Sequence, residues 1–261
     1  MSIFRADALA GQHIVISGGC GAIGLGIIKG VTEHGAVVSV NDLIAPDDAD
    51  ARLNAAGIAP DRVNYIRGDL TQVDAVIAFI DVARSRFGAV HTALCHAGVV
   101  LPAPLLDATV ESFDQTMAVN VRAAFLLGQV AARAMIADGV RGHLLFTTSW
   151  VAETPWPGIG AYNSSKAAMN QLMRTFAREL ADRGVRANAI APGIVGIGMA
   201  KRQFDTEPDY RARVQKAIPL GDMQTLDSVV DAFLFACSPA AAYITGAVLT
   251  VDGGCSLYPM D

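Results

Sequence analysis

The sequence predicts an α/β fold, a doubly wound parallel sheet of about seven strands with helices on both faces. Three observations lead there. Short Val/Ile-rich runs alternate with helix-length segments from end to end. The runs are continuously apolar, as strands covered on both faces are. A glycine-rich turn, Ser17-Gly18-Gly19-Cys20-Gly21-Ala22-Ile23-Gly24, joins the first run to the first helical segment. At 261 residues the chain has the length of one large α/β domain, and residues 1–261 are read as that single domain.

In order, the first strand is expected at His13–Ser17, and the first helix at Ala22–His34. A second strand, Val37–Asn41, leads into Asp42–Pro60, whose Ala, Asp and Pro content reads as a loop with a weak helix. Strands at Val63–Arg67 and Thr92–His96 bracket a helix at Asp74–Phe87. A long helix of low charge, Ser112–Ala137, precedes the fifth strand, His143–Thr148, and another long helix, Ala161–Arg183, precedes the sixth, Arg186–Ala191. From Pro192 to about Arg213 the pattern is irregular. An uncovered stretch of that length inside a compact domain is usually functional, and a mobile lid is expected at about 193–216. A helix at Thr225–Cys237 and a strand at Ala247–Val251 finish the fold.

Composition narrows the function. Apolar residues make up 52% and charged residues 17%, which implies a large core or a surface partly covered by other subunits. The net charge of −5 argues against a nucleic-acid partner and against a membrane surface. The cysteines, Cys20, Cys95, Cys237 and Cys255, form no CxxC pair and no metal spacing with the histidines, so reduced thiols and no metal are expected. No uninterrupted apolar run reaches the 18 or so residues of a membrane span. The first residues lack the apolar block of a signal peptide. A cytoplasmic location is expected.

Gly19, Gly21 and Gly24 form a GxGxxG between a strand and a helix, the place where backbone N–H groups can cradle a pyrophosphate in a Rossmann-like fold. Asp42 ends the second strand 18 residues beyond Gly24. An acid there accepts hydrogen bonds from an adenosine ribose and repels the 2′-phosphate of NADP, and no Arg or Lys lies within 41–50, so the expected cofactor is NAD. Tyr162 and Lys166 stand four residues apart on one helical face. A nearby cation, especially with a positively charged nicotinamide beside it, stabilises a phenolate and is expected to lower the Tyr162 pKa toward a useful base. Ser149 lies 13 residues before Tyr162 at the end of the fifth strand, and Asn120 sits inside a long helix where its propensity is modest.

Together these motifs resemble the short-chain dehydrogenase/reductase family, in its compact form and over nearly the whole chain. The glycine turn, Asp69-Leu70, Cys95-His96-Ala97-Gly98, Asn120, Ser149, Tyr162/Lys166, Pro192-Gly193 and Val251-Asp252-Gly253-Gly254 appear in family order. The resemblance implies that Tyr162 is the general acid/base and that Ser149 bonds the substrate oxygen. It implies that Lys166 holds the nicotinamide ribose and tunes Tyr162, and that Asn120 anchors a water of the proton relay. The implied nucleotide contacts are Ser17, Gly18, Gly21, Ile23, Gly24, Asp42, Asp69, Leu70, His96, Ala97, Gly98, Tyr162, Lys166, Pro192, Gly193 and Val195. A homotetramer is implied too, with the apolar tail Cys255–Asp261 buried between subunits.

Four positions depart from the family pattern. Ser17 stands for Thr, Ala22 for Gly, His96 for an amide, and Ile197 for a Thr or Ser that would bond the nicotinamide amide. Substrate contacts are expected from Ser149, Val151, Trp156, Tyr162 and Ile194, with Trp150, Met199 and Phe204 nearby, and a basic lid at Lys201, Arg202, Arg211 and Arg213. The expected reaction is NAD-dependent interconversion of a small secondary alcohol, ring-bearing or sugar-derived, and its ketone. The alternatives are an NADPH-dependent carbonyl reductase of the 3-oxoacyl-thioester type and a dinucleotide sensor without catalysis.

Overall fold

The computed structural model describes residues 4–257, apart from the side chain of Met199. The predicted tail contacts of Tyr258–Asp261 and the predicted substrate contact of Met199 lie outside the described residues. Seven strands pair in parallel in the order β3-β2-β1-β4-β5-β6-β7. They are β1 (His13–Ser17), β2 (Val37–Asp42), β3 (Val63–Arg67), β4 (Thr92–Cys95), β5 (His143–Thr147), β6 (Arg186–Pro192) and β7 (Val248–Val251). The helices are α1 (Ala22–Glu33), α2 (Pro46–Ala55), α3 (Val73–Phe87), α4 (Val110–Met117), α5 (Ala123–Ala137), α6 (Gly160–Leu180), α7 (Gly198–Thr206), α8 (Pro208–Ala217) and α9 (Leu226–Cys237).

Strand alternation sorts the apolar residues into two cores. In β1, Ile14 and Ile16 face one side of the sheet and pack with Ile27 and Ile28 of α1 and Val229 and Phe233 of α9. Val15 faces the other side, among Phe79 and Ile80 of α3, Leu127 of α5 and Met169 and Met173 of α6. Every residue of β1 is buried, which is why it shows no polar alternation in the sequence.

The chain runs outward from β1 through β2 to β3, then returns to lay β4 on the other side of β1. At that reversal the connections leave β1 and β4 in opposite directions and open a crevice above their carboxyl ends. Gly18 makes the turn there with φ of +65°, and a Cβ at this position would stand 2.8 Å from the Ala97 Cα. The crevice wall therefore requires glycine.

Several expectations needed correction. The helix expected at Ser112–Ala137 begins at Val110, where the Thr109 side chain accepts from the Ser112 N–H, and a π-helical turn at Ala118–Arg122 divides it. Most of 42–60 is helical, because Pro46 at the first helical position starts α2. The stretch read as irregular after Pro192 holds α7 and α8, and Pro208 opens the second of them. The fifth strand ends at Thr147, so Ser149 caps a short 3₁₀ turn at Trp150–Ala152 instead of ending a strand. Val110–Ala137 has the length and mean hydropathy, 1.2, of a membrane span, but 56% of its most apolar stretch is buried inside the fold, as in a core helix.

A row of histidines lies at the amino ends of the central strands. The His13 ring contacts the Gly88 carbonyl and the Ser39 hydroxyl, and the His13 N–H donates to His91 Nδ1 at 3.1 Å. His143 meets the Asn188 amide at 3.0 Å through Nε2, while its buried Nδ1 has no partner. Burial first, then the Arg186 charge, pushes the His143 pKa down to about 3. Its stabilising neutral form is fully present above the unfolded value near 6.5 and is lost as pH falls from there toward 3. Urea unfolding at pH 7, 6 and 5 should show a loss approaching about 1.4 kcal/mol per pH unit from this group, flattened in His143→Gln. Equal pH slopes in the two proteins would refute that assignment.

Candidate active site

The crevice is a cleft of about 450 Å³ lined by Gly18, Gly21 and Ile23 from the glycine turn, Asp42 from β2, Asp69 and Leu70 after β3, and His96, Ala97 and Gly98 after β4. The capping residue of α1 is Gly21, with no side-chain cap, so the N–H groups of the first turn are left for an anion. Asp42 is fixed by two N–H donors, Cys20 at 3.0 Å on one carboxylate oxygen and Leu43 at 2.7 Å on the other. Asp69 accepts from the Thr71 N–H and hydroxyl. A cradle that a Cβ would fill, free N–H groups and an oriented acid at the ribose end fit a dinucleotide.

Seven expected nucleotide contacts do not line this cleft: Ser17, Gly24, Tyr162, Lys166, Pro192, Gly193 and Val195. The Ser17 hydroxyl accepts from the N–H groups of His96 and Ala97, both at 3.0 Å, and so ties β1 to the end of β4 instead of meeting phosphate. Gly24 is buried, and a Cβ there would lie 2.6 Å from the Gly19 carbonyl oxygen, so it serves close packing of α1 on the turn. The fold also brings in cations that the window 41–50 lacked. Arg52 donates to the Cys20 carbonyl at 3.2 Å, and Arg67 to the Leu43 carbonyl at 3.0 Å.

Thr147, at the end of β5, joins two further site residues. Its hydroxyl meets His96 Nδ1 at 2.9 Å and its carbonyl accepts from Lys166 Nζ at 2.7 Å. Burial, then the Lys166 charge, drives His96 down to about 4, so it stays neutral in the physiological range, with its ring edge-to-face on Phe233. Nothing in the sequence marked Thr147, because its partners lie on other strands and helices.

Tyr162 and Lys166 share a face of α6, with Lys166 Nζ 5.4 Å from the phenol ring centroid. In the protein alone, burial raises Tyr162 to about 12, and a Ser149 hydrogen bond pulls it back only in part. Burial lowers Lys166 to about 8. Without the nicotinamide charge, the ammonium over the ring and bonded to Thr147 does not offset desolvation of the phenol.

Asn120 is buried in the π turn and its side chain is fully engaged. Oδ1 accepts from the Val99 N–H at 2.8 Å, and Nδ2 donates to the Val99 carbonyl at 3.0 Å and to the Ser165 hydroxyl at 2.9 Å. Both amide protons are spent, so the side chain positions the loop after β4 against α6, and a water held there would donate to an oxygen of Asn120.

A second cleft, about 770 Å³, opens beside the first. It contains the expected substrate contacts Ser149, Val151, Trp156, Tyr162 and Ile194. Gly193 and Val195, expected at the cofactor, line this cleft too, while Pro192 is buried at the end of β6 and Lys166 lines neither cleft. Ile23 and Ile197 belong to both walls, so the two clefts meet beside Tyr162 and Ser149. No local signal marked Gln224, whose side chain accepts from the Gly193 N–H at 3.0 Å and whose backbone pairs with Ile194 and Gly196.

A glycine cradle at the reversal of strand order, opening onto a Ser/Tyr/Lys cluster, defines an α/β oxidoreductase that works with a nicotinamide nucleotide. Residues 18–256 match the family model described as Enoyl-(Acyl carrier protein) reductase. Short-chain dehydrogenase reductase 5 of Arabidopsis thaliana is 35% identical over 95% of this chain and 96% of its own. Gluconate 5-dehydrogenase of Gluconobacter oxydans is 31% identical over 95% of each chain. A short-chain type dehydrogenase/reductase from Mycobacterium marinum superposes with a TM-score of 0.86 at 29% identity, over 99% of this chain and all of its own. The chain belongs to the short-chain dehydrogenase/reductase family.

Proposed function

We infer that this protein is an NAD-dependent oxidoreductase that interconverts a small secondary alcohol, ring-bearing or sugar-derived, and its ketone. The observation that carries the inference is the meeting of the two clefts at Ile23 and Ile197, beside the Tyr162 phenol and the Ser149 hydroxyl. Bound nicotinamide supplies the acceptor for the hydride that leaves the alcohol carbon. Tyr162 takes the hydroxyl proton during oxidation and returns it during reduction, and Ser149 donates to the substrate oxygen. With Tyr162 raised to about 12 in the protein alone, the oxidising base needs the positive charge that the oxidised nicotinamide brings, and the reducing direction finds its acid already protonated. Lys166, held on Thr147, adds charge beside the phenol, while Asn120 and Ser17 hold the β4 loop in place. α7 and α8 form the lid side of the cleft. Formation of NADH across polyols, sugar acids, cyclic and aromatic alcohols and 3-hydroxyacyl esters tests this. A class that turns over in the wild type and not in Tyr162→Phe supports it, and NADH formation that persists undiminished in the variant refutes it.

Asp42 supports the choice of NAD, since its carboxylate is fixed where a 2′-phosphate would come. A second reading, NADPH-dependent reduction of the ketone of a 3-oxoacyl thioester, is favoured by Arg52 and Arg67 at the same end. Asp42→Ser removes the repulsion and leaves both guanidiniums, so kcat/KM with NADP should rise about tenfold or more while that with NAD falls. A wild type that already prefers NADP would reverse the assignment. Exposed Val110 and Phe113 on α4 and Leu249 and Leu257 near β7 are consistent with a homotetramer, which sedimentation would test.

A further inference from the structure

We propose that Arg213 binds a carboxylate of the substrate, so that the alcohol this enzyme takes is a hydroxy acid. The assignment rests on the second cleft being the alcohol site. Among the described residues lining that cleft, Arg213 and Glu207 alone carry charge, and both belong to the lid segment that holds α7 and α8.

The lid cations divide by what they already hold. Lys201 pairs with Asp205 one helical turn away. Arg211 is spent on the end of α7, donating to the carbonyls of Phe204 and Asp205, both at 2.7 Å. Arg202 does not line the cleft. Arg213 lines it and has no acidic partner among the described residues, Glu207 included.

Its guanidinium is nonetheless oriented. It lies 5.1 Å from the ring centroid of Trp156. That indole is almost fully buried and braced edge-to-face by Trp150 at 5.5 Å and Tyr210 at 6.4 Å. Arg213 is exposed, and with its guanidinium carbon over the indole its N–H groups have no carboxylate partner among the described residues, so they can donate two parallel hydrogen bonds to a carboxylate. Exposed Glu207 on the same rim is suited to accept from substrate hydroxyls.

The test uses two matched pairs, gluconate against glucitol and 3-hydroxycyclohexanecarboxylate against its carboxamide. Binding is read from tryptophan fluorescence in the presence of NAD, and NADH formation is followed in parallel. In the wild type, at least one acid should bind about tenfold or more tighter than its neutral partner. The preference should vanish in Arg213→Gln and survive in part in Arg213→Lys, the acid losing more affinity than its neutral partner in each pair. No acid preference in the wild type, including no binding by any of the four, overturns the proposal, as does a preference that survives Arg213→Gln. Arg213-dependent binding of an acid without NADH formation would sustain the carboxylate site while refuting that compound as the alcohol oxidised.

Discussion

Tyr162→Phe is expected to lower kcat by about 10²–10⁴-fold while leaving NAD affinity nearly unchanged. The loss comes from the proton transfer alone. The phenol lines the alcohol cleft and not the nucleotide cleft, and its ring packing beside Lys166 and Ser149 is retained by Phe. The variant should bind NAD by calorimetry with ordinary affinity, unfold at the wild-type temperature, and show no rise in residual oxidation as the pH is raised. The wild type should become faster in oxidation with increasing pH, since its phenol is protonated until the oxidised nicotinamide and the solvent draw the proton off. Equal rates in the two proteins would remove Tyr162 from the chemistry. A large loss of NAD affinity would instead give it a binding role.

Gly18→Ala is expected to abolish tight nucleotide binding and to destabilise the fold. Two costs coincide at this residue. The backbone has φ of +65°, which an L side chain adopts at a cost of about 1–3 kcal/mol. The new Cβ would also stand 2.8 Å from the Ala97 Cα, a backbone atom that cannot rotate away, so β1 and β4 must separate. That separation strains the two hydrogen bonds from His96 and Ala97 to Ser17 and opens the crevice wall. NAD affinity should fall by at least about tenfold and the melting temperature by several degrees. Gly21→Ala is the control. Its φ is −74° and its Cβ would meet nothing closer than the Gly18 carbonyl at 3.6 Å, so the fold should keep its stability even where binding suffers. A Gly18→Ala protein with unchanged melting temperature and affinity would show that the turn is more tolerant than its geometry.

Strand positions, the parallel sheet and the Tyr/Lys pair were legible because each rests on a local signal: buried β-branched runs, a glycine turn, and a four-residue spacing on a helix. What was misread depended on partners distant in sequence. Asn120 looked like a residue inside a continuous helix, but its amide is claimed by Val99 and Ser165. Ser17 looked like a phosphate ligand by position, and its hydroxyl is claimed by the loop after β4. The lid looked irregular because Gly196, Gly198 and Pro208 punctuate it, yet those residues separate helices that pack on the aromatic cluster of Trp150, Trp156 and Tyr210.

By itself the sequence determined the order of elements, the place of the glycine turn and the residue types able to do acid/base chemistry, since these follow from periodicity, backbone freedom and side-chain chemistry. Only the tertiary structure decided which groups are free to act. It spent Lys201, Arg211, Ser17 and the Asn120 amide on internal partners and left Arg213 and the α1 amino end open. It also buried the Tyr162 phenol, which raises its pKa in the protein alone. Burial and hydrogen-bond satisfaction are properties of what surrounds a side chain, and for this chain those surroundings come from strands and helices far apart in sequence.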